Sequence, residues 1–356
     1  MLARIGAWAY DTRMSGGAAP IRRLYGIQYL RALAAIAVLA FHAFEADDTP
    51  WGLLALGVDL FFVLSGFLMV AITDRDSRPL AFFRDRFLRV VPVYWLVTLC
   101  ALLLFSFSRL SPEPVDGWHA FASFAFIPAL QPGSPSLFPL VPPGWSLNYE
   151  MLFYAVFAAL LILPRRLQIW ALTTILLTSV VLGRLVQPEQ AILQAWSHPI
   201  LLEFLAGAWL GVAWQQGGRL WPVLLASIPL TLAAYYLLIS PGGWWHGRII
   251  FIPMILAMLV SVLTLERRGN GIPDWRIPRL LGDASYSIYL WQFFAVIAGA
   301  VLAGKFGMPQ TAVVTFVFIA GLTGGVAAYL WIERPLQLLL GRYRKFRRGV
   351  PIPAGV

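Results

Sequence analysis

Charged residues are scarce in this chain of 356 residues. Asp, Glu, Lys and Arg together make up 12% of the sequence, whereas 59% of the residues are hydrophobic. About a quarter of the residues in a typical soluble domain are charged. The composition therefore excludes an ordinary soluble domain and predicts an all-α membrane protein that crosses the bilayer several times.

Cysteine is nearly absent, because the only one is Cys100, which lies in an apolar run. One cysteine excludes an intrachain disulfide, a cysteine-based metal centre and a redox pair, and we expect no metal site. The sequence also shows no internal repeat, whereas repeated halves with interrupted helices mark many transporters. A transporter or flippase with a proton- or anion-handling cavity therefore stays open only as the alternative function.

Anionic residues are fewer than cationic ones, with 17 Asp and Glu against 27 Lys and Arg, and a net charge of +10. The cations cluster in short tracts between apolar segments, and they do not lie along one helix or motif as in a nucleic-acid-binding surface. They are typical of loops that set membrane topology and face anionic lipid. We therefore expect membrane lipids, and no nucleic acid, as partners.

The apolar segments predict about ten transmembrane helices, since one span needs about 20 apolar residues. The predicted spans are 27–45, 52–73, 90–108, 145–163, 167–184, 199–215, 220–240, 247–265, 280–304 and 311–333. Basic residues gather in alternate loops and in both tails, which places both termini in the cytoplasm. The prediction is thus a cytoplasmic tail over 1–26, a transmembrane domain over 27–340 and a basic tail over 341–356, in the inner membrane.

Two further expectations concern the N-terminal segment before the first span and the longest loop. Residues 1–20 lack an apolar core long enough for a cleaved signal, so the first span is predicted to be an uncleaved signal-anchor. The connection over 109–144 contains FASFAFIPAL, which is too short to span, and we expect a re-entrant or interfacial segment there.

One face of the first span carries Arg31 near its start and His42 near its end. At about 100° and 1.5 Å per residue, the eleven steps between them bring His42 to within roughly 20° of Arg31 and about 16 Å along the axis. Ionisable groups within a span are costly and usually face a cavity or a partner. This face is therefore a candidate functional site.

Two groups of polar residues follow from the predicted topology. His42, Asp59 and Glu150 come from three different spans and are predicted to lie at a similar depth in the outer half of the bilayer. A carboxylate beside the imidazole would make His42 a general base for a hydroxyl. The second group is predicted at the inner end, where arginine suits phosphate groups, and its members are Arg31, Arg84, Arg86, Arg89, Glu333 and Arg334.

Each of these residues also has a purely structural interpretation. His42 could be an interfacial residue, Asp59 could pair with another helix, and Glu150 could cap a helix start. The arginines satisfy the positive-inside rule without binding anything. Glu203 and Asp283 are interpreted as structural, and we expect the Ser65-Gly66 pair to make a close helix contact in preference to a nucleophile elbow.

Six motifs in order resemble those of the acyltransferase 3 family of membrane O-acyltransferases, over about residues 22–336. They are the Arg31-to-His42 pair, GVDLFFVLSGFL at 57–68, RDRFLRVVPVYW at 84–95, WSLNYE at 145–150, SYSIYLWQ at 285–292 and IERP at 332–335. One departure is Gln292, where the family often has His; a glutamine cannot carry a proton near neutral pH. The chain also ends soon after the tenth span, so we expect the membrane core alone to handle the acceptor.

The resemblance implies acyl transfer from cytoplasmic acyl-CoA, with acetyl-CoA favoured, to a hydroxyl on the outer side. The acceptor would be a glycan, a glycolipid or a small molecule. It also implies that Arg31 and His42 are the pair most closely tied to catalysis and that Arg86 and Arg89 contact the phosphates of the nucleotide. Glu150 matches the acid of the Trp-Ser-Leu motif. Direct transfer is the simpler mechanism, and an acyl intermediate on His42 or Ser146 stays open.

Overall fold

A computed structural model describes residues 24–44, 50–73, 77–107, 115–238, 248–267 and 271–347. Within these ranges the chain is helical and forms no strand, which confirms the predicted all-α class. The helices are α1 (Tyr25–Ala43), α2 (Leu56–Ile72), α3 (Pro79–Phe107), α4 (Gly117–Ala125), α5 (Trp145–Leu160), α6 (Arg165–Val186), α7 (Ala191–Trp196), α8 (Leu201–Gln215), α9 (Trp221–Leu238), α10 (Ile252–Arg267), α11 (Arg276–Asp283), α12 (Ser285–Phe306), α13 (Gln310–Ala328) and α14 (Arg334–Arg347).

Each of the ten predicted spans contains a helix, and seven helical segments are long and apolar enough to cross a membrane. Those seven are Tyr25–Ala43, Gly52–Ala71, Pro79–Phe107, Arg165–Val186, Arg248–Arg267, Ser285–Phe306 and Gln310–Gly341. Helices α5 and α8 have 16 and 15 residues, and the apolar part of α9 is also short. The protein is thus a multi-pass membrane protein, whereas the count of ten and the cytoplasmic termini stay predictions.

Helix α1 lies in the middle of the bundle and packs against α2, α10, α11, α12 and α13. Its small residues Ala34 and Ala35 are fully buried. Small side chains let helix backbones approach closely inside a membrane. The central position of α1 explains how a single helix can present Arg31 and His42 to several neighbours.

Helices α2 and α8 pack closely through paired glycines. A Cβ atom on Gly66 would overlap the carbonyl oxygen of Phe204, and a Cβ on Gly207 would overlap the carbonyl oxygen of Val63. The two backbones can approach this closely only because neither glycine carries a side chain. The predicted close helix contact at Ser65-Gly66 is confirmed.

We expect Gly66→Ala to destabilise the protein by about 1–3 kcal/mol, because the added methyl group must push rigid backbone apart. Thermal unfolding of the purified protein in detergent would measure the loss. The matched control is Gly324→Ala on α13, where a Cβ would meet nothing within 4 Å. Equal unfolding temperatures for the two variants would contradict this account of the α2–α8 contact.

The long connection before α5 is built around the short helix α4, and residues 108–114 lie outside the described ranges. Asp116 caps α4 by accepting a hydrogen bond from the His119 amide at 2.7 Å. The indole nitrogen of Trp95 donates to the Phe124 carbonyl at 2.8 Å, which holds α4 against α3. With 9 residues α4 is too short to span the bilayer; its re-entrant or interfacial character stays a prediction.

Candidate active site

A cavity of about 800 Å³, including its open mouth, lies between helices α1, α2, α3, α5 and α12. Its charged lining consists of Arg31 from α1, Arg86 and Arg89 from α3, and Glu150 from α5. Its remaining walls are apolar and aromatic side chains and several hydroxyl groups. Such a cavity, with a few convergent polar groups on an apolar wall, has the composition of a small-molecule site.

Arg31 is fixed by neighbours on α12 and near the start of α14. Its guanidinium donates a hydrogen bond to Ser285 Oγ at 3.0 Å, and it interacts electrostatically with Glu333. Glu333 is itself held by Ser287 Oγ at 2.6 Å and by Gln337 Nε2 at 2.8 Å. Glu333 ends a wide π-helical turn, Tyr329–Glu333, of the kind that recurs at functional sites.

Arg86 and Arg89 stand one turn apart on α3 and share the face that lines the cavity. The guanidinium of Arg86 lies over the Phe82 ring, 5.8 Å from its centroid. Three residues predicted for this inner group are not among the lining residues, namely Arg84, Glu333 and Arg334. The Arg84 side chain is 43% exposed and pairs with Asp85 at 3.4 Å.

Glu150 faces the arginines from the opposite wall. It accepts hydrogen bonds from Ser65 Oγ, at 2.9 Å, and from the hydroxyl of Tyr154. It also interacts electrostatically with Arg31. The carboxylate is thus held by two hydroxyl donors within a cationic cavity, and it does not cap the start of α5.

Ser146 and Tyr289 form a hydroxyl pair in the cavity wall. Their oxygens lie 2.8 Å apart, and both are within hydrogen-bond distance of the Pro143 carbonyl, at 3.1 and 2.8 Å respectively. Neither a phenol nor a backbone carbonyl activates a serine as a general base would. This geometry disfavours an acyl intermediate on Ser146.

His42 lies toward the far end of α1 and is not among the residues that line the cavity. Leu39 and Gln292 both pack on Gly321. His42 lies three residues beyond Leu39 on α1, and Tyr289 lies three residues before Gln292 on α12. At 1.5 Å per residue, His42 is therefore about 9 Å farther along the bundle axis than Tyr289. The ring is half-buried, and its Nδ1 atom is 2.9 Å from the Val38 carbonyl oxygen.

Asp59 forms a buried ion pair with Arg248, which begins the 3₁₀ turn Arg248–Phe251 before α10. Arg248 also donates to the Ala55 carbonyl at 2.7 Å. Both side chains are 2% exposed or less. Of the two interpretations that the sequence left open for Asp59, the structure favours pairing with another helix.

The structure therefore does not bring His42, Asp59 and Glu150 together at one depth. Glu150 joins the arginines, Asp59 pairs with Arg248, and His42 lies beyond the cavity. Gln292 lies one turn past Tyr289 and donates to its carbonyl at 2.9 Å. Within the described ranges, no three His, Cys, Asp or Glu side chains are grouped as metal ligands would be.

Comparison with known proteins identifies the family. A family model described as an acyltransferase domain, that of the acyltransferase 3 family, matches residues 24–331. The chain belongs to this family. The family assignment makes the protein an acyltransferase, and it confirms the resemblance carried by the sequence motifs.

Three relatives illustrate the range of the family. The exopolysaccharide production protein ExoZ of Rhizobium meliloti is 39% identical, over 88% of this chain and 98% of that protein. The acyltransferase MdmB of Streptomyces mycarofaciens is 23% identical, over 90% of this chain and 94% of that protein. The peptidoglycan O-acetyltransferase OatA of Listeria monocytogenes is 23% identical, over 75% of this chain and 48% of that protein. No solved structure is significantly similar.

Sequence reasoning missed several residues of the site. Tyr154 and Ser65 hold Glu150, Ser285 holds Arg31, and Arg248 pairs with Asp59. Arg248 lies within the predicted span 247–265, which indicates that it needs a partner but not which residue supplies it. Ser65 and Ser285 lie within two of the quoted motifs, but the sequence does not show which charged group each hydroxyl contacts.

Proposed function

We propose that this acyltransferase moves an acyl group, with acetyl favoured, from cytoplasmic acyl-CoA to a hydroxyl of an extracytoplasmic glycan. The protein would lie in the inner membrane with both termini in the cytoplasm. The glycan acceptor is supported by relatives named for exopolysaccharide production and for peptidoglycan O-acetylation. The observation that carries the proposal is the convergence of three arginines from two helices in one cavity.

The arginines supply the donor site. Arg31, Arg86 and Arg89 place three permanent positive charges in a cavity in which Glu150 is the one carboxylate among the described lining residues. A guanidinium binds phosphate oxygens in a forked geometry, so the phosphates of acyl-CoA suit this cationic end. Glu150 then acts as a positioning residue that limits repulsion among the arginines and orients Arg31.

His42 supplies the general base in this proposal. A backbone carbonyl can only accept a hydrogen bond, so the 2.9 Å contact with Val38 requires that Nδ1 carries the proton. In the neutral imidazole the lone pair is then on Nε2. The Val38 carbonyl therefore sets the tautomer, a role that we predicted for a carboxylate.

The reaction balances as a direct transfer. The acceptor hydroxyl oxygen bonds to the thioester carbonyl carbon while His42 Nε2 takes its proton. The tetrahedral intermediate collapses with cleavage of the carbon–sulfur bond, and the thiolate leaves. The imidazolium returns the proton to sulfur, so the products are an O-acyl ester and the free thiol of coenzyme A.

Arg89→Gln tests the donor site. We expect it to weaken acetyl-CoA binding by about tenfold or more, because one charge-assisted contact to phosphate is lost. The matched control is Arg84→Gln, an exposed arginine on the same helix that does not line the cavity. Calorimetry on protein in nanodiscs would give both affinities. If the two variants bind equally well, the arginine assignment is wrong.

Turnover tests the function itself. Purified protein in nanodiscs is supplied with a panel of acyl-CoA donors and hydroxylated glycans, and release of free coenzyme A thiol is followed with time. We expect acceptor-dependent thiol release, with acetyl-CoA as the best donor. Transport of a solute without any thiol release would return weight to the transporter alternative.

A further inference from the structure

A second cavity, of about 300 Å³, lies beside the first turn of α5. Trp145, Asn148 and Tyr149 line it from α5, Phe138 lines it from the preceding loop, and Ala195 closes it from α7. Ser146, Leu147 and Glu150 line the first cavity. At about 100° per residue these two sets occupy opposite faces of α5, so the second cavity is a separate pocket.

Asn148 contributes an amide group to the lining of this pocket. Its side chain is 5% exposed, and its Oδ1 atom has no hydrogen-bond partner in the part of the chain that the structure describes. A buried acceptor without a donor destabilises a protein, so such atoms require an explanation. An explanation is available if a ligand in the pocket donates a hydrogen bond to this oxygen.

The aromatic walls of the pocket are held in place. Trp145 and Tyr149 pack edge to face with ring centroids 5.8 Å apart, and both contact Phe62 at 6.2 and 6.3 Å. Rigid aromatic surfaces with one orienting polar group favour a small ring-shaped ligand. None of the described residues lining the pocket is charged, so the ligand is neutral.

We propose that this pocket binds one neutral sugar unit of the acceptor glycan. A pyranose ring offers an apolar C–H face to the aromatic walls and hydroxyl donors to Asn148. Trp145 directly precedes Ser146, which lines the first cavity, so the two cavities flank one helix about 10 Å across. A glycan chain with one unit in the pocket could present a neighbouring hydroxyl to the reaction. This inference rests on the proposed function.

Two variants test the pocket by different means. Asn148→Leu removes the acceptor oxygen and keeps the branched shape and the number of heavy atoms, and Ala195→Leu fills the pocket from α7. The matched control is Gln28→Leu, which exchanges another amide with an unpartnered buried oxygen on α1, outside the pocket lining. The probe is a series of neutral hexose oligosaccharides of increasing length, titrated into protein in nanodiscs without acyl-CoA and followed by saturation-transfer NMR.

We expect wild type and Gln28→Leu to bind oligosaccharides alike and both pocket variants to bind about tenfold more weakly or worse, since a hydrogen bond or the binding volume is lost. Equal binding by all variants, or no binding by wild type to any probe, would overturn the proposal. Co-purification of a lipid with wild type, together with its loss from Ala195→Leu, would also overturn the proposal. Thiol release from acetyl-CoA, measured on the same samples, reports separately whether the proposed function fails.

Discussion

His42→Ala is expected to lower the rate of acyl transfer by on the order of a hundredfold or more, the usual contribution of a general base. The cause is the loss of the Nε2 lone pair, which the hydrogen bond between Nδ1 and the Val38 carbonyl makes available. Binding of acyl-CoA should persist, because the arginines that we propose to bind its phosphates lie at the other end of α1 and on α3. Thiol release and calorimetric binding on the same preparation would separate the two effects.

A second imidazole provides the control. His198 Nδ1 accepts a hydrogen bond from the Ile200 amide at 3.2 Å, a role that an asparagine oxygen can take over. His198→Asn should therefore retain turnover while removing an imidazole from another site. Full activity in His42→Ala would remove His42 from the mechanism as the general base.

Helix positions and the cationic cavity were predictable from the sequence. Long apolar runs placed a helix in every predicted span, because a membrane requires each backbone group to be paired within its own segment. Arg31, Arg86 and Arg89 were predicted to lie together because the predicted topology puts all three at the same end of the bundle. Seven helical segments meet the length and hydropathy required for a span.

The depth of Glu150 was not predictable by counting from Trp145. The turn Pro142–Gly144 that precedes α5 is largely buried, and Gly144 packs against the Tyr94 ring. The helix thus begins inside the bundle. Sequence gives the start of a helix but not how far the preceding chain lies inside the bundle, so the contact of Glu150 with the cavity that holds the arginines was not predicted.

The partner of Asp59 was equally hidden, because the two residues are 189 positions apart in sequence. Arg248 lies at the edge of the predicted span 247–265, and nothing near it in the sequence identifies its counter-charge. Only the packing of α10 against α2 brings its guanidinium to Asp59 and to the Ala55 carbonyl. Pairwise contacts between distant helices depend on three-dimensional packing, which a single sequence does not encode locally.

Asp59→Asn should be among the most damaging single substitutions for stability. The buried Arg248 side chain, which is 2% exposed, would then lack its counter-charge. Breaking a buried ion pair in this way costs about 3–5 kcal/mol. Arg248→Met should cost a similar amount, because it leaves the carboxylate alone. Unfolding temperatures in one detergent would report both losses.

The double variant Asp59→Leu/Arg248→Met distinguishes a structural ion pair from a catalytic carboxylate. Replacing both charges by apolar side chains is often neutral or stabilising by about 1–4 kcal/mol, so we expect the double variant to be more stable than either single one. Because neither charge remains, its thiol release also measures whether Asp59 acts in the chemistry. A stable but inactive double variant would return Asp59 to the catalytic machinery, whereas near-normal turnover would limit its role to holding α2 against the start of α10.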